Sequence, residues 1–412
     1  MGIAQTGSPK GVLWAVLLAV PVGVLAGSAS ALFLWALDLA TGLRERHELL
    51  IYLLPLAGVA LGVAYDRWAG AAKAGTNLVI NVVAPTGPVV DPGAFVHARM
   101  APMVLLGTVF THVFGGSAGR EGTAVQMGAS LADTLGRRVL PSPAHVHVRQ
   151  LVILSGVAGG FGSVFGTPLA GAVFAAEFAV RGRLRYQALG PALVAALVGD
   201  TTTRLLGIGH THYPRVAPLA LGQLVLLKWA VFAVAVALTS SAFIELTHGI
   251  KKVSERYLGR LPLRMFAGGL VVVALWRLTD GRMYLGLGVP TIVRAFQEPA
   301  LPGQVFALKL LFTAVTIGAG FVGGEVTPLF FVGATLGSAL GAFLGLPVEL
   351  AAAVGMTSLF ACAAKAPFAL MFMAVELFGI NCLPHVAFVA AIAYFLGGDR
   401  SIYTAQRPAS GS

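Results

Sequence analysis

Long apolar runs separated by short polar segments dominate the chain. Residues 12–39, 189–206, 219–244 and 305–322 are examples. A helix needs roughly 17–25 mainly apolar residues to cross a bilayer, and these runs are long enough. Polar and apolar residues do not alternate within them, as they would in the strands of an outer-membrane barrel. The pattern therefore predicts a polytopic membrane protein built from helices, with each of these runs crossing the membrane.

The composition supports this interpretation. Hydrophobic residues make up 57% of the 412 residues and charged residues only 11%, whereas soluble domains carry about a quarter charged residues. The chain also has 52 glycines. In membranes, glycine lets helices pack closely and lets them break where they line a cavity.

The net charge of +11 does not indicate nucleic-acid binding. Basic residues cluster in short segments between apolar runs, as in residues 181–185 and 251–264. By the positive-inside bias, some of these segments face the cytoplasm. His210 and His212 resemble a metal-binding pair, but no further ligands are suitably spaced. We predict no metal, no cofactor and no enzymatic constellation.

Two pairs of segments recur in the same order in the two halves of the chain. Gly156 and Gly355 each precede a proline by twelve positions, and a glutamate follows each proline nine positions later. Just upstream, residues 119–131 and 324–336 form a second similar pair. Internal repeats are typical of transporters whose halves enclose a central site. We therefore predict halves of approximately 1–215 and 216–405 within one transmembrane domain (1–412), without a soluble regulatory domain.

Glycine-rich segments at 115–119 and 318–324 indicate that helices begin within the membrane at equivalent points of the two halves. The first turn of a helix has free N–H groups and about half a positive charge, so it attracts anions. The predicted anion-binding residues at these two starts are Gly119, Arg120, Gly122, Val326 and Thr327.

Glu121 lies at the first of these helix starts. A carboxylate within a membrane is costly and usually functional. Glu121 can occupy the anion site when it is ionised and leave it when it is protonated, which would link proton and anion movement. Alternatively, Glu121 only complements the helix dipole.

Glu325 lies at the matching start in the second half and is a possible proton relay. The alternative is a structural acid paired with a base such as Lys309 or Lys365. Glu177 and Glu376 occupy equivalent repeat positions, which favours a shared structural task such as capping a neighbouring helix.

Three further polar residues can contact an anion. Thr76 and Asn77 follow Gly75 before an apolar run and can donate hydrogen bonds, although a helix cap is an equally physical interpretation. The hydroxyl of Tyr403 can also reach an anion. The alternative for Tyr403 is an anchor at the membrane interface.

Several motifs resemble those of the CLC family of chloride channels and anion/proton antiporters. Residues 119–128 resemble its Gly-[Lys/Arg]-Glu-Gly-Pro signature, and residues 168–177 resemble its downstream helix. Residues 323–328 resemble its Gly-x-Phe-x-Pro motif, and residues 401–403 resemble its C-terminal tyrosine segment. The motifs follow the family order and cover nearly the whole chain.

The resemblance implies two antiparallel, inverted halves whose broken helices meet at a central anion pathway. It also implies a homodimer in which each subunit has its own pore. It assigns Glu121 as the proton-coupled gating glutamate and Tyr403 as an anion-facing tyrosine.

Departures from the chloride-type pattern indicate the fluoride-specific CLC-F branch. Residues 75–79 read Gly-Thr-Asn-Leu-Val where chloride-type members read Gly-Ser-Gly-Ile-Pro, and Glu325 replaces an apolar residue. Phe178 stands where exchangers often carry an inner proton-relay glutamate. Fluoride is small and strongly hydrated, so it needs dense hydrogen-bond donors.

We therefore predict a multi-pass inner-membrane protein that exports fluoride in exchange for protons. The alternatives are a chloride/proton antiporter or passive chloride channel of the same family and, in other classes, a membrane enzyme or another non-transport membrane protein. The expected partners are fluoride, protons, the lipid bilayer and a second copy of the chain, with no nucleic acid.

Overall fold

The apolar runs fold into helices in the computed structural model, which describes residues 9–84, 95–297 and 301–408. The first half contains α1 (Pro9–Arg46), α2 (Leu54–Trp68), α3 (Thr76–Val83), α4 (Met100–Val113), α5 (Glu121–Val139), α6 (Val146–Phe165), α7 (Pro168–Glu177) and α8 (Tyr186–Leu205). The second half contains α9 (Gln223–Leu258), α10 (Leu261–Thr279), α11 (Val289–Gln297), α12 (Gln304–Gly318), α13 (Val326–Leu344), α14 (Val348–Ala364), α15 (Pro367–Phe378) and α16 (Leu383–Leu396).

Short elements connect the helices. Short 3-10 helices occupy Glu48–Leu53, Gly70–Ala74, Pro143–His145, Arg282–Tyr284 and Ile380–Cys382. Two short strands, β1 (Val180–Arg181) and β2 (Arg407–Pro408), pair in parallel, with Val180 opposite Arg407. The predicted boundary between the halves, near residue 215, lies in the segment that joins α8 to α9.

Six helical segments of the described chain are long and apolar enough to cross a membrane. The prediction for residues 305–322 is wrong in extent, because α12 ends at Gly318. Gly320 then adopts φ +101°, a left-handed conformation that favours glycine. The chain therefore turns toward the start of α13 instead of continuing as one helix.

Glycine allows the same close helix contact in both halves. A Cβ atom added at Gly128 on α5 would collide with the carbonyl group of Gly156 on α6. A Cβ atom added at Gly333 on α13 would collide with that of Gly355 on α14. The two repeat segments found in the sequence are therefore the contact surfaces of equivalent helix pairs.

Glu177 and Glu376 cap each other's equivalent helices. The Glu177 carboxylate, at the end of α7, accepts hydrogen bonds from the N–H groups of Phe368 (3.2 Å) and Ala369 (2.9 Å), at the start of α15. Glu376, in the last turn of α15, caps the start of α7 in the same way, at 2.9 and 2.8 Å. The predicted capping task is confirmed.

This exchange of caps also defines the relation between the halves. The end of α7 meets the start of α15 while the end of α15 lies at the start of α7, so the two equivalent helices are antiparallel. The prediction of inverted halves in an all-helical membrane protein is confirmed.

Glu177→Ala should destabilise the fold, because the buried N–H of Ala369 and the partly buried N–H of Phe368 lose their acceptor. We expect a loss of about 1–3 kcal/mol in the free energy of unfolding, measured by thermal unfolding in detergent. Glu245→Ala is the control, because it removes only an exposed ion pair with Arg400, worth about 0–1 kcal/mol. Equal losses in the two variants would contradict the capping role.

Candidate functional site: two helix starts around a buried glutamate

The segments that lead into α5 and α13 turn sharply at equivalent glycines. Gly115 has φ +86° and Gly320 has φ +101°. The first segment is anchored to α12 of the other half: the N–H of Ser117 donates to Thr316 Oγ1 at 3.1 Å, and Ser117 Oγ lies 2.9 Å from Thr313 Oγ1. Side chains of one half therefore position the helix start of the other.

The two helix starts are joined directly by their backbones. The N–H of Gly119 donates to the carbonyl oxygen of Gly324 at 2.6 Å, and the N–H of Gly324 donates back at 2.8 Å. The first residues of α5 and α13 therefore lie side by side. The Gly119 N–H predicted to bind an anion is occupied by Gly324 in this conformation, so this arrangement does not support that assignment.

Glu121, the first residue of α5, is fully buried at this junction. Its carboxylate accepts hydrogen bonds from the N–H of Thr327 (3.0 Å) and the N–H of Arg120 (3.1 Å). The Thr327 hydroxyl is 2.6 and 2.5 Å from the two carboxylate oxygens. A negatively charged group thus occupies the anion-attracting start of α13.

Arg120 lies between Glu121 and an open cavity. Its Nε is 3.5 Å from a carboxylate oxygen of Glu121. Arg120 also lines a cavity of about 600 Å³, here named the Arg120 cavity. Other residues of its lining are Asp38, Thr41, Arg44, Glu45, Glu48, Thr211, Arg282 and residues 287–291.

Glu325 lines a second cavity of about 620 Å³, here named the Glu325 cavity. Lys251, Lys252, His248 and Arg264 also line it. The junction of the helix starts therefore has one candidate anion route on the Arg120 side and another on the Glu325 side.

Neither of the bases proposed as a structural partner of Glu325 pairs with it. Lys309 donates to the carbonyl oxygens of Tyr284 (3.0 Å) and Gly286 (2.7 Å), and Lys365 donates to that of Tyr394 (3.0 Å). The alternative that paired Glu325 with Lys309 or Lys365 is wrong. The Lys309 ammonium group instead holds the segment before α11, and that of Lys365 binds the last turns of α16.

Thr76 and Asn77 form the start of α3, which is packed beside α5. The Thr76 hydroxyl accepts a hydrogen bond from Gln126 Nε2 at 3.2 Å. The side-chain oxygen of Asn77 accepts one from the N–H of Ala405 at 2.9 Å. Asn77 also lines the Glu325 cavity, so it borders the candidate anion route while it ties the C-terminal segment to α3.

Tyr403 is buried, with 6% of its surface exposed, so the interpretation as an anchor at the membrane interface is wrong. Gln406 holds this segment by donating from Nε2 to the carbonyl oxygens of Phe178 and Ala364. The Tyr403 ring meets Phe178 edge to face at 6.4 Å. Its neighbours Ile402 and Thr404 line the Glu325 cavity.

The structure also reveals residues that the sequence analysis missed. Gln126 and Thr404 line the Glu325 cavity, and Thr313 and Thr316 hold the loop before α5. Thr313 and Thr316 lie three positions apart on α12, as Thr108 and Thr111 do on α4. That repeated threonine spacing was the available signal.

The structure brings together Glu121, Arg120 and Thr327 at the starts of α5 and α13. It places the start of α3 and the segment around Tyr403 at the Glu325 cavity. Inverted repeats that place broken-helix starts around a buried acid define a membrane protein with an ion-binding site. The sequence matches the profile described as voltage gated chloride channel over residues 57–398. The chain belongs to the voltage gated chloride channel family.

Named proteins with similar sequences also fit this family. A "Chloride/fluoride channel protein" of Pseudomonas syringae pv. tomato is 46% identical over 407 residues, which cover 95% of this chain and 85% of that protein. The "Voltage-gated ClC-type chloride channel ClcB" of Salmonella dublin is 30% identical over 322 residues, covering 74% of this chain and 73% of that one.

Solved structures are also similar. A CLC-type fluoride/proton antiporter superposes with a TM-score of 0.92 and 34% identity, covering 98% of this chain and 100% of that one. A slow cyanobacterial Cl⁻/H⁺ antiporter has a TM-score of 0.79 and 18% identity over 97% of each chain, which shows a shared fold.

Gly119→Ala should disrupt the junction. The added Cβ atom would lie 2.9 Å from Pro328 Cδ and 3.0 Å from the Gly324 oxygen, where overpacking costs about 1–3 kcal/mol. We expect ion flux in proteoliposomes to fall while the protein remains folded. Gly190→Ala is the control, because a Cβ atom there meets nothing within 4 Å. Normal flux in Gly119→Ala would contradict the importance of this contact.

Proposed function

We propose that the protein exports fluoride across the inner membrane in exchange for protons. The observation that carries this proposal is the Glu121 carboxylate, which is buried and hydrogen-bonded to the N–H and hydroxyl of Thr327 at the start of α13. Because this carboxylate already occupies the donors at the start of α13, it can compete with an anion for them.

The exchange follows from the charge of Glu121. The ionised carboxylate holds the Thr327 donors and the Arg120 N–H. When the carboxylate accepts a proton it loses its negative charge, its bonds to these donors weaken, and the side chain can leave. A fluoride ion then takes the vacated donors. Return of Glu121 requires release of the proton and displacement of the anion, so the two ions move in alternation.

The number of hydrogen-bond donors close to the junction of the helix starts favours fluoride over chloride. At the junction lie the Thr327 hydroxyl and the backbone N–H groups of two helix starts, and the Gln126 amide lines the adjoining Glu325 cavity. A small, strongly hydrated ion needs several close donors to replace its water. The names of the similar "Chloride/fluoride channel protein" and of the fluoride/proton antiporter support the same choice.

Glu325 is the proposed proton relay. It lines the Glu325 cavity and is the residue immediately before α13, whose first turn binds Glu121 through Thr327. The position used for an inner relay in many exchangers is here Phe178, which is fully buried and stacks on Phe174 at 5.2 Å. A proton route through Glu325 would not have to pass the packed rings of Phe174 and Phe178.

The distribution of basic residues indicates which side of the membrane each cavity faces. Lys251, Lys252 and Arg264 line the Glu325 cavity, so by the positive-inside bias this cavity faces the cytoplasm. The Arg120 cavity then faces outward. We further propose that the chain forms one transmembrane domain and that two copies assemble as a homodimer, each with its own site.

Glu121→Gln should abolish proton movement driven by a fluoride gradient, because an amide cannot carry a proton or mimic an anion. Proteoliposomes loaded with fluoride, with a pH dye outside, measure the coupling. Glu349→Gln is the control, because Glu349 is exposed at the start of α14. Unchanged coupling in Glu121→Gln would refute the gating role.

The same vesicles separate the rival functions. A chloride gradient that drives protons as well as fluoride does would indicate a chloride/proton antiporter. Anion flux without any proton movement in the wild type would indicate a passive channel. Glu325→Gln should slow proton movement more than anion flux, and equal slowing of both would leave Glu325 with a structural role.

A further inference from the structure

His112, in the last turn of α4, connects that helix to the segment that leads into α5. It is fully buried. Its Nδ1 lies 2.7 Å from the carbonyl oxygen of Thr108, one turn earlier in α4, and its Nε2 lies 3.1 Å from the carbonyl oxygen of Ala118. Ala118 immediately precedes Gly119, whose backbone pairs with Gly324 at the junction. A contact with the Ala118 carbonyl therefore acts on the junction of the helix starts through a single peptide unit.

Both ring nitrogens of His112 face hydrogen-bond acceptors. A neutral imidazole has one N–H group and one nitrogen lone pair, so it can donate to only one of two carbonyl oxygens. The other nitrogen would then point its lone pair at a carbonyl oxygen no more than 3.1 Å away. A buried acceptor left without a donor is costly. Only the imidazolium form, with two N–H groups, satisfies both contacts, so the geometry favours a protonated ring in this conformation.

Two cationic side chains from other helices lie behind the same segment. Lys309 on α12 donates to the carbonyl oxygen of Gly286 at 2.7 Å, and a Cβ atom at Gly286 would collide with the Arg44 side chain of α1. The N–H of Gly286 in turn donates to the carbonyl oxygen of Gly116 at 3.2 Å. These cations repel a proton on His112, whereas the two carbonyl oxygens attract one. The proton is therefore held by its two hydrogen bonds, and it is lost more easily when either bond breaks.

We propose that His112 binds a proton in this conformation and, through the Ala118 carbonyl, positions the start of α5 that carries Glu121. Loss of the Nε2 proton to solvent would leave a nitrogen lone pair facing the Ala118 oxygen, and their repulsion would push this segment away from α4. Glu121, three residues beyond Ala118, would move with it. His112 is thus a positioning residue that acts through Glu121. Its effect on exchange rests on the proposed function, whereas the proton on its ring does not.

Nitrogen-15 NMR of the wild-type protein in lipid bilayers, labelled at the histidine rings, tests for the proton directly. A neutral ring gives one N–H nitrogen and one lone-pair nitrogen at well separated shifts, whereas an imidazolium gives two N–H nitrogens. We expect an imidazolium signal from His112 at about pH 8, where an ordinary histidine is neutral. Carbon-13 labels on alanine carbonyls identify this signal without a substitution, because Nε2 of His112 contacts the Ala118 carbonyl.

Two variants check that assignment. His112→Gln should remove the imidazolium signal. His210→Gln is the matched control and should retain the signal, because His210 is paired with Asp200 instead, at 2.8 Å. A lone-pair nitrogen on the ring coupled to the alanine carbonyl at about pH 8 would overturn the proposal, and so would loss of the imidazolium signal in His210→Gln.

The pH dependence of fluoride flux in proteoliposomes tests the positioning role. His112→Gln and His112→Asn cannot be protonated, and they keep Glu121 and Glu325, so their difference from the wild type isolates His112. We expect their flux to be about tenfold lower where His112 is protonated, the value of one charge-assisted hydrogen bond. The difference should shrink over the pH range in which the NMR signal of His112 becomes that of a neutral ring.

Equal flux in the wild type and both variants at every pH would overturn the positioning role. A difference that stays constant while the His112 signal changes would indicate a purely structural side chain and would overturn it as well. His210→Gln should keep the wild-type pH profile. The proposed function would fail separately, through absence of fluoride-driven proton movement in the wild type, and the NMR result would stand without it.

Discussion

Free N–H groups at helix starts inside a membrane must find partners, and this requirement organises the molecule. Lipid cannot satisfy such groups, so a helix can begin there only where protein, water or an ion supplies acceptors. In this chain the starts of α5 and α13 bind each other through Gly119 and Gly324, and the Glu121 carboxylate takes the donors of Thr327. The site is therefore a consequence of breaking helices within the bilayer.

In the rest of the scaffold, the inverted repeat makes the same helix contacts and the same helix caps once in each half. Glycine pairs bring α5 against α6 and α13 against α14. Glu177 and Glu376 exchange caps between α7 and α15. Such shared caps couple the halves, because neither helix start is satisfied without the other half. The two halves differ at the site itself, because the position equivalent to Glu121 in the second half is Val326.

The two cavities beside the junction are lined by different kinds of polar and charged residues. The Arg120 cavity is lined by three arginines and three acids, while the Glu325 cavity combines Glu255 and Glu325 with lysines and with the amides of Asn77 and Gln126. An exchanger needs this asymmetry, because the anion and the proton require different groups on the way to a common carboxylate.

The sequence alone determined the membrane class, the two repeats, the helix starts near Glu121 and Glu325, and the caps at Glu177 and Glu376. Apolar run length and the spacing of glycine, proline and glutamate are local properties that remain visible in one dimension. Only the tertiary structure decided that Gly119 binds Gly324, that Asn77 and Gln126 border one cavity, and that Arg44 and Arg120 line the other. These contacts join residues far apart in the chain, and they depend on how the inverted halves pack.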